Sequence, residues 1–212
     1  MEFNAFLQKT QNLPVVDTKL ISVGQDDILS LKVQISRWVK SGKLIQLRRG
    51  LYLLAEPYRK IVPSEFAISG VLKKPSYISL EKAMEYHGLI PEAVRVLTCV
   101  TTKRPESFET PFGRYDYRHI QPSFFWGYTS AILDGQSFFM ATPEKALLDF
   151  FYLRQRKVSM EYLIEMRLQN VECIRMNKLW EYARRFQKKR IMRIMELLEQ
   201  YIRNQMKGVK RL

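Results

Sequence analysis

Residues 43–54 read Lys-Leu-Ile-Gln-Leu-Arg-Arg-Gly-Leu-Tyr-Leu-Leu, and this stretch decides the fold of the first part of the chain. The apolar residues on either side of the two arginines predict two short β-strands. Gly50 has no Cβ, so it takes the left-handed conformation of a tight turn without a steric penalty. We therefore predict a β-hairpin whose tip carries Arg48 and Arg49.

A helix-forming segment precedes this hairpin. Residues 27–41 place apolar side chains at helical spacing, and a glycine follows where a C-terminal cap is expected. Two shorter helices are predicted upstream, at residues 2–10 and 19–21, with a turn at residues 23–25 before the longer helix. Three helices and a basic hairpin form the outline of a winged helix-turn-helix, which we predict as a DNA-binding domain in residues 1–60.

Residues 61–212 predict a second, mixed domain. The dipeptide Asp134-Gly135 separates two strand-like runs and is a strong signal for a two-residue hairpin turn. The run Thr-Pro-Glu at 142–144 predicts a helix start, because it suits the N-cap, the first helical position and the positive end of the helix dipole. We expect an α+β fold in which this domain combines a small antiparallel sheet with C-terminal helices. The predicted strands are 94–101, 115–120, 129–133 and 136–140, and the predicted helices are 64–74, 80–86, 142–153, 159–168, 177–186 and 189–206.

The charge of the chain points to a polyanionic partner. Lysine and arginine number 35 against 21 acidic residues, which gives a net charge of +14 and a pI near 9.8. Nucleic acid is the leading expectation at this charge, and an anionic membrane surface is the competitor. No apolar run approaches the roughly 18 residues of a membrane-spanning helix. The charge is also uneven, at +5 in residues 1–60, −1 in 61–150 and +10 in 151–212.

The cysteines and the first residues of the chain indicate a compartment. Cys99 and Cys173 have no CxxC spacing, and two cysteines make neither a metal site nor a disulfide framework. Polar side chains interrupt residues 1–20, so this segment lacks the apolar core of a signal peptide. We expect a cytoplasmic protein with reduced thiols.

Two basic regions supply candidate contacts with nucleic acid. The helix predicted in residues 27–41 has a small polar face with cations opposite its apolar arc, and such a face can enter the DNA major groove. There arginine reads guanine, glutamine reads adenine, and lysine or serine contacts phosphate. The alternative is that these side chains form only the solvated faces of amphipathic helices. The predicted DNA-binding residues are Ser30, Lys32, Gln34, Arg37 and Lys40 on the helix, Arg48 and Arg49 on the hairpin, and Arg184, Arg185, Lys188, Lys189 and Arg190 near the C-terminus.

The sequence shows no clear catalytic constellation. The two histidines have no acidic or thiol neighbour at a useful spacing, and no phosphate-binding loop occurs. A metal-dependent nuclease needs clustered carboxylates, often with a lysine. Such a set can be assembled from Asp116, Asp134, Glu144, Lys145 and Asp149. Because helix and turn geometry already explain Glu144 and Asp134, we predict no catalytic residue, no metal and no cofactor. A nuclease or nucleotide-processing enzyme is the alternative.

An aromatic run, Phe-Phe-Trp-Gly-Tyr at residues 124–128, has two interpretations. Aromatic side chains stack on the bases of single-stranded nucleic acid. They also fill protein cores, and phenylalanine and tryptophan at this density are usually buried. We favour packing in the core.

Several motifs, in the same order along the chain, resemble the AbiEi family, the antitoxin and transcriptional-regulator component of type IV (abortive infection) toxin-antitoxin systems. The resemblance runs from about residue 15 to residue 152 and rests on residues 47–52 (LRRGLY), 75–79 (PSYIS), 86–91 (YHGLIP), 101–105 (TTKRP), 110–113 (TPFG) and 141–149 (ATPEKALLD).

This resemblance implies a function. It implies that the N-terminal winged helix binds inverted repeats in double-stranded DNA of the operon's own promoter and represses it. It also implies that the second domain counteracts a nucleotidyltransferase-like toxin. We therefore expect a non-enzymatic repressor and antitoxin, without a membrane partner. A module whose basic surface meets RNA or an acidic protein is a further alternative.

Overall fold

A computed structural model describes residues 2–21, 28–154 and 156–209. The chain is α+β. The helices are α1 (Phe3–Thr10), α2 (Thr18–Ile21), α3 (Ile28–Lys40), α4 (Glu65–Leu72), α5 (Leu80–Tyr86), α6 (Pro143–Leu153), α7 (Met160–Glu165), α8 (Met176–Arg185) and α9 (Lys189–Val209). The strands are β1 (Val16–Asp17), β2 (Leu44–Arg48), β3 (Leu51–Leu54), β4 (Ser76–Ile78), β5 (Leu97–Thr101), β6 (Glu106–Thr110), β7 (Gly113–His119), β8 (Tyr128–Leu133) and β9 (Gln136–Ala141).

In residues 2–21 and 28–54, which the structure describes, the chain forms three helices and a small antiparallel sheet with the order β1-β3-β2. The predicted hairpin and the helix before it are confirmed, whereas the turn predicted at residues 23–25 lies outside the described residues. Gly50 has a φ of 88° and Gly42 a φ of 70°, so both occupy the left-handed region that glycine favours. The buried side chains of Phe6, Leu31 and Trp38 pack in a core beneath the sheet.

A six-stranded sheet with the order β6-β7-β5-β4-β9-β8 forms the centre of the rest of the chain. β5 pairs in parallel with β7, β4 pairs in parallel with β9, and the other neighbours are antiparallel. The prediction of a small antiparallel sheet was therefore wrong. The three residues of β4 are too few to show a pattern, and β6 is largely polar because it lies at the sheet edge.

The helix predictions for this part of the chain are confirmed, with small changes at the ends. Thr142 caps α6 by accepting a hydrogen bond from the Lys145 N–H at 3.4 Å, and Pro143 occupies the first turn. α7 ends at Glu165 rather than near residue 168. The Asp134-Gly135 turn is also confirmed, with φ values of 50° and 73°.

The β2–β3 hairpin contributes to two hydrophobic cores. Leu44 and Leu54 pack in the N-terminal core with α1 and α3, whereas Leu47, Leu51 and Leu53 pack in the larger core around the six-stranded sheet. Because both faces of the hairpin are buried, its orientation against the larger sheet is fixed. The proposed division into residues 1–60 and 61–212 stays a prediction.

In the described ranges, no helix combines the length and apolar character needed to cross a membrane.

Candidate nucleic-acid interface

A groove of about 570 Å³ lies between α2, α3 and the tip of the β2–β3 hairpin. The Thr18 backbone N–H and hydroxyl both donate to the Gly50 carbonyl, at 3.0 and 3.1 Å, and so hold the hairpin tip against α2. Leu31 and Ile35 form an apolar floor, and three cations line the walls. Two of the cations, Lys32 and Arg49, were predicted contacts; the third, Lys19, was not. The residues that line the groove are Thr18, Lys19, Leu31, Lys32, Ile35, Arg49, Gly50 and Tyr52.

The outer face of α3 continues this basic surface. Lys32, Arg37 and Lys40 are exposed, and Ser30 and Gln34 are half-buried beside them. Within the described ranges, none of the three cations forms an ion pair with a carboxylate. Their charge is therefore directed to solvent, as a polyanion-binding helix requires.

The two arginines at the hairpin tip have different surroundings. Arg49 is exposed and lines the groove beside α3. Arg48 is half-buried, and its Nη1 donates to the Arg49 carbonyl at 3.3 Å. Burial raises the pKa of the Tyr117 phenol in the larger sheet, and the nearby positive charge of Arg48 partly offsets that rise. Arg48 thus lies near the larger sheet, whereas Arg49 lines the groove.

The predicted DNA-binding residues near the C-terminus also differ in how far they are bound by other groups of the protein. The guanidinium of Arg190 donates to the carbonyls of Phe151 and Arg156, both at 2.9 Å, and to the carbonyl of Arg154. These bonds join the start of α9 to the end of α6. Arg185 stacks on Trp126, with its Cζ 4.0 Å from the ring centroid, and Arg184 lies 5.9 Å from the Trp180 centroid. Lys188, just before α9, and Lys189, its first residue, are exposed.

Other cations of residues 151–212 bind acidic side chains. The nitrogen–oxygen distances range from 2.5 to 3.3 Å in pairs that join different elements or successive helical turns. These pairs remove part of the excess positive charge that the composition of this segment implies. They are Arg154–Glu81, Arg167–Glu92, Arg175–Glu144, Lys178–Glu144 and Arg203–Glu199.

A buried polar network, which the sequence did not predict, joins α6 to β4. Lys145 pairs with Asp149 one turn along α6, and the hydroxyls of Tyr77 and Ser79 donate to the other Asp149 carboxylate oxygen at 2.9 and 2.8 Å. Lys145 also donates to the Tyr77 hydroxyl at 2.8 Å. Burial raises the pKa of Asp149 and lowers that of Lys145. The i,i+4 spacing of these residues was the available signal, but it usually marks an exposed pair.

This network is closed to ligands. Lys145 and Asp149 have no exposed surface, and Lys145 lies against the rings of Trp126 and Phe186, with its Nζ 4.9 and 5.3 Å from their centroids. A Cβ at Gly127 would approach the Lys145 side chain to 3.0 Å, which shows how closely the backbone covers it. The network therefore acts as a cross-link inside the core.

The carboxylates considered for a nuclease lie in separate places. Asp116 binds Arg114 on β7, and Asp134 is in the β8–β9 turn. Glu144 is buried and binds Arg175 and Lys178. In the part of the chain that the structure describes, no three His, Cys, Asp or Glu side chains are grouped so that they could hold a metal ion.

The aromatic run at residues 124–128 packs in the core, as favoured. Phe124 is buried with its ring centroid 4.6 Å from that of Phe186, and Trp126 packs edge-on against Tyr182 at 4.8 Å. The run therefore connects the sheet to α8 rather than offering a row of open rings.

No protein-family model matches the chain, and a search of curated proteins found no significant match. The resemblance to the AbiEi family therefore stays a prediction from motifs.

Proposed function

We propose that the chain is a DNA-binding transcriptional repressor whose first 60 residues form a winged helix-turn-helix. One observation carries the proposal. Lys32 of α3 and Arg49 of the hairpin tip line one groove, Arg37 and Lys40 are exposed on the same helix, and within the described ranges none of these four cations forms an ion pair with a carboxylate. A surface of this kind binds the phosphates of a duplex on both sides of an inserted helix.

α3 is the proposed recognition helix. Its 13 residues are long enough to lie in the major groove, which is about 12 Å wide. Arg37 and Gln34 are assigned to base edges, because their side chains form paired hydrogen bonds with guanine and adenine. Lys32, Lys40 and Ser30 are assigned to the flanking phosphates.

The hairpin tip is the second part of the proposed DNA-binding surface. Arg49 binds the DNA backbone beside the groove, and the two hydrogen bonds from Thr18 to Gly50 keep the tip in register with α2 and α3. Arg48 supports the hairpin from the side of the larger sheet. Phosphate contacts of this type set the position of the protein on the duplex, while the base contacts of α3 select the sequence.

The biological role we propose is that of an antitoxin in a type IV toxin-antitoxin system. The resemblance to the AbiEi family supports it: such a protein represses its own promoter through inverted repeats and counteracts a nucleotidyltransferase-like toxin.

Arg184, Arg185, Lys188 and Lys189 are exposed and form a second, weaker candidate surface for DNA. We leave Arg190 out of this surface, because three of its hydrogen bonds go to backbone carbonyls.

Footprinting on the promoter of the chain's own gene tests the repressor function. We expect protection of an inverted repeat, and we expect Arg37→Ala to weaken operator binding by about 1 to 3 kcal/mol while binding to random DNA changes little. Arg203→Ala is the matched control, since it also removes one exposed arginine but leaves α3 intact. Absence of protection would refute the repressor function, and equal losses on operator and random DNA would refute base reading by Arg37.

The antitoxin role requires a separate test. If the gene next to this one encodes a nucleotidyltransferase-like protein, its expression should stop growth, and co-expression of the full chain should restore it. A double substitution Lys32→Ala/Arg49→Ala should abolish repression yet keep the rescue, because the proposed antitoxin activity belongs to the second domain. Failure of the wild-type chain to restore growth would overturn the antitoxin role and leave the repressor role standing.

A further inference from the structure

A cleft of about 560 Å³ lies at the end of β7, and none of its lining residues belongs to the groove between α2, α3 and the hairpin tip. His119 and Gln121 line it from the end of β7 and the residues that follow. Tyr152 and Leu153 line it from the last turn of α6. Lys188, Arg190 and Ile191, at the start of α9, complete the lining. Its volume is within the range of about 300 to 1,000 Å³ that is typical of small-molecule sites.

The lining favours an anion. It contains two cations and a histidine, and none of the described residues that line it is acidic. Arg190 uses three of its five N–H donors on the carbonyls at the end of α6, so its charge is held in place while two donors are left for a ligand. In the described ranges Lys188 has no acidic partner.

The cleft also has a flat apolar wall. Tyr152 is half-buried, and its ring is fixed by Phe124 and Phe186, each with its centroid 5.2 Å away. Ile191 is 1% exposed and Leu153 is half-buried beside the tyrosine. A fixed aromatic ring next to a pair of cations accommodates a planar group that carries a phosphate, because the ring supplies a stacking surface and the cations supply charge-assisted hydrogen bonds.

The histidine supplies a further polar contact. His119 Nδ1 lies 3.0 Å from the Lys103 carbonyl, which can only accept a hydrogen bond, so Nδ1 carries the proton in this contact. In the neutral ring Nε2 is then an acceptor, which suits a hydroxyl or amino group of the ligand.

We propose that this cleft binds a nucleoside phosphate, with the phosphate on Lys188 and Arg190 and the base against Tyr152. The site goes beyond the proposed DNA-binding function, because its ligand is a single nucleotide rather than a duplex. Such a ligand has two sources with the same chemistry: a free mononucleotide and the phosphorylated end of a nucleic-acid strand.

Isothermal titration calorimetry on the full chain tests the proposal, with adenosine 5′-monophosphate, guanosine 5′-monophosphate, adenosine and inorganic phosphate as probes. We expect at least one mononucleotide to bind with 1:1 stoichiometry and about tenfold more tightly than adenosine or phosphate alone, because both halves of the ligand are recognised. A 5′-phosphorylated oligonucleotide and its 5′-hydroxyl counterpart show whether a strand end is the preferred source.

Two lysines provide a matched pair of variants. Lys188→Ala should weaken mononucleotide binding by about tenfold or more, because it removes a charge-assisted hydrogen bond. Lys189→Ala removes the same charge from the next residue, which does not line the cleft, and should change binding by less than about twofold. Neither substitution touches the core, so both variants should melt as the wild type does.

Absence of saturable binding by every phosphorylated probe would overturn the proposal, as would equal effects of the two lysine substitutions. A failure of the DNA-binding proposal gives a different result, because promoter binding is then absent while the titration with mononucleotides is unaffected.

Discussion

The surface of α3 with the hairpin tip and the region from α6 to α9 both carry many cations, but they use them differently. In the first region Lys32, Arg37 and Arg49 point to solvent, and within the described ranges none of them binds an acid. In the second region Lys145 is buried against Asp149, and Arg190 binds backbone carbonyls. Several further arginines there form ion pairs.

This difference shows that net charge along a sequence does not measure the charge available to a ligand. Residues 151–212 have a formal charge of +10 and residues 1–60 only +5. After the internal partners are taken into account, residues 151–212 offer less charge to a ligand than their composition implies, whereas Lys32, Arg37, Lys40 and Arg49 of the N-terminal region stay exposed without a carboxylate partner in the described ranges. A protein surface attracts DNA through cations that are free to displace the counterions of phosphates, and a cation already bound inside the protein contributes less.

The largest expected effect is a loss of stability when the buried pair of Lys145 and Asp149 is broken. Asp149→Ala leaves Lys145 buried without its carboxylate, so we expect the free energy of unfolding to fall by about 3 to 5 kcal/mol. Urea denaturation followed by circular dichroism measures this change. Glu196→Ala, on the exposed side of α9, is the control and should change stability by less than about 0.5 kcal/mol.

A double substitution separates the ion pair from simple loss of packing. Lys145→Met/Asp149→Leu replaces both charges with apolar side chains, so it should be less destabilising than Asp149→Ala alone. If Asp149→Ala unfolds at the same urea concentration as the wild type, the network does not have the structural role assigned to it.

The next largest effect tests whether exposed, unpaired cations control DNA binding. It compares two double variants that each lose two positive charges. Lys32→Ala/Arg49→Ala should weaken binding to a promoter duplex by about ten- to hundredfold and lower the slope of log K against log salt by about two. Arg167→Ala/Arg203→Ala removes two arginines that bind Glu92 and Glu199 and should change the slope by less than about one. Fluorescence anisotropy across a salt series measures both slopes. Equal slopes in the two variants would mean that net charge alone controls binding.

A smaller effect on stability is expected from Glu144, a buried acidic residue of the second region. Glu144 is fully buried, and although burial raises its pKa, its own backbone N–H, the ion pair with Lys178 and the hydrogen bond from the Arg175 N–H bring the pKa below its ordinary value of 4.5. A carboxyl whose pKa is lowered in the folded state stabilises the protein above its unfolded pKa and loses this contribution as the pH falls through its folded pKa. The ion pairs of Glu144 should therefore stabilise the fold at neutral pH, and this contribution should be lost in acid as the carboxylate is protonated.

Glu144→Gln should reduce the free energy of unfolding by about 1 to 2 kcal/mol at pH 7. The difference from the wild type should narrow as the pH falls below the ordinary carboxyl pKa of 4.5 and through the lower pKa of the folded state, since the wild-type carboxyl then becomes protonated. Denaturation at several pH values measures the difference, and Glu181→Gln on the exposed side of α8 is the control. A constant difference across this range would assign the loss to packing instead of charge.

The parts of the fold that were predicted correctly are those with local signals. The period of α3, the turn at Gly50 and the cap at Thr142 are each visible within a few residues. The order of the six-stranded sheet was not visible, because the parallel pairs β5–β7 and β4–β9 join strands whose connections give no local signal for which strands become neighbours. All three residues of β4 are buried, so the strand shows no alternation.

The residues of the candidate site were likewise predictable only where the signal was local. The helical period placed Arg37 opposite the apolar arc of α3 and Lys32 beside that face, and the structure has both exposed. The roles of Arg190 and Lys145 depend on partners far along the chain: Arg190 binds the end of α6, and the network of Lys145 includes Tyr77, 68 residues away. A sequence pattern reports spacing within an element, but it does not report which distant residues will cover a charged side chain.

The smallest expected effect separates the two adjacent arginines of the hairpin tip. Arg49 lines the groove beside α3, whereas Arg48 is half-buried near Tyr117. Arg49→Ala should lower the salt slope of DNA binding by about one, and Arg48→Ala should change the affinity by no more than about twofold, because it lies outside the phosphate contacts. Fluorescence anisotropy at two salt concentrations distinguishes these outcomes. If the two single variants lose affinity equally, both guanidiniums reach the DNA, and the tip must then turn away from the larger sheet when the duplex binds.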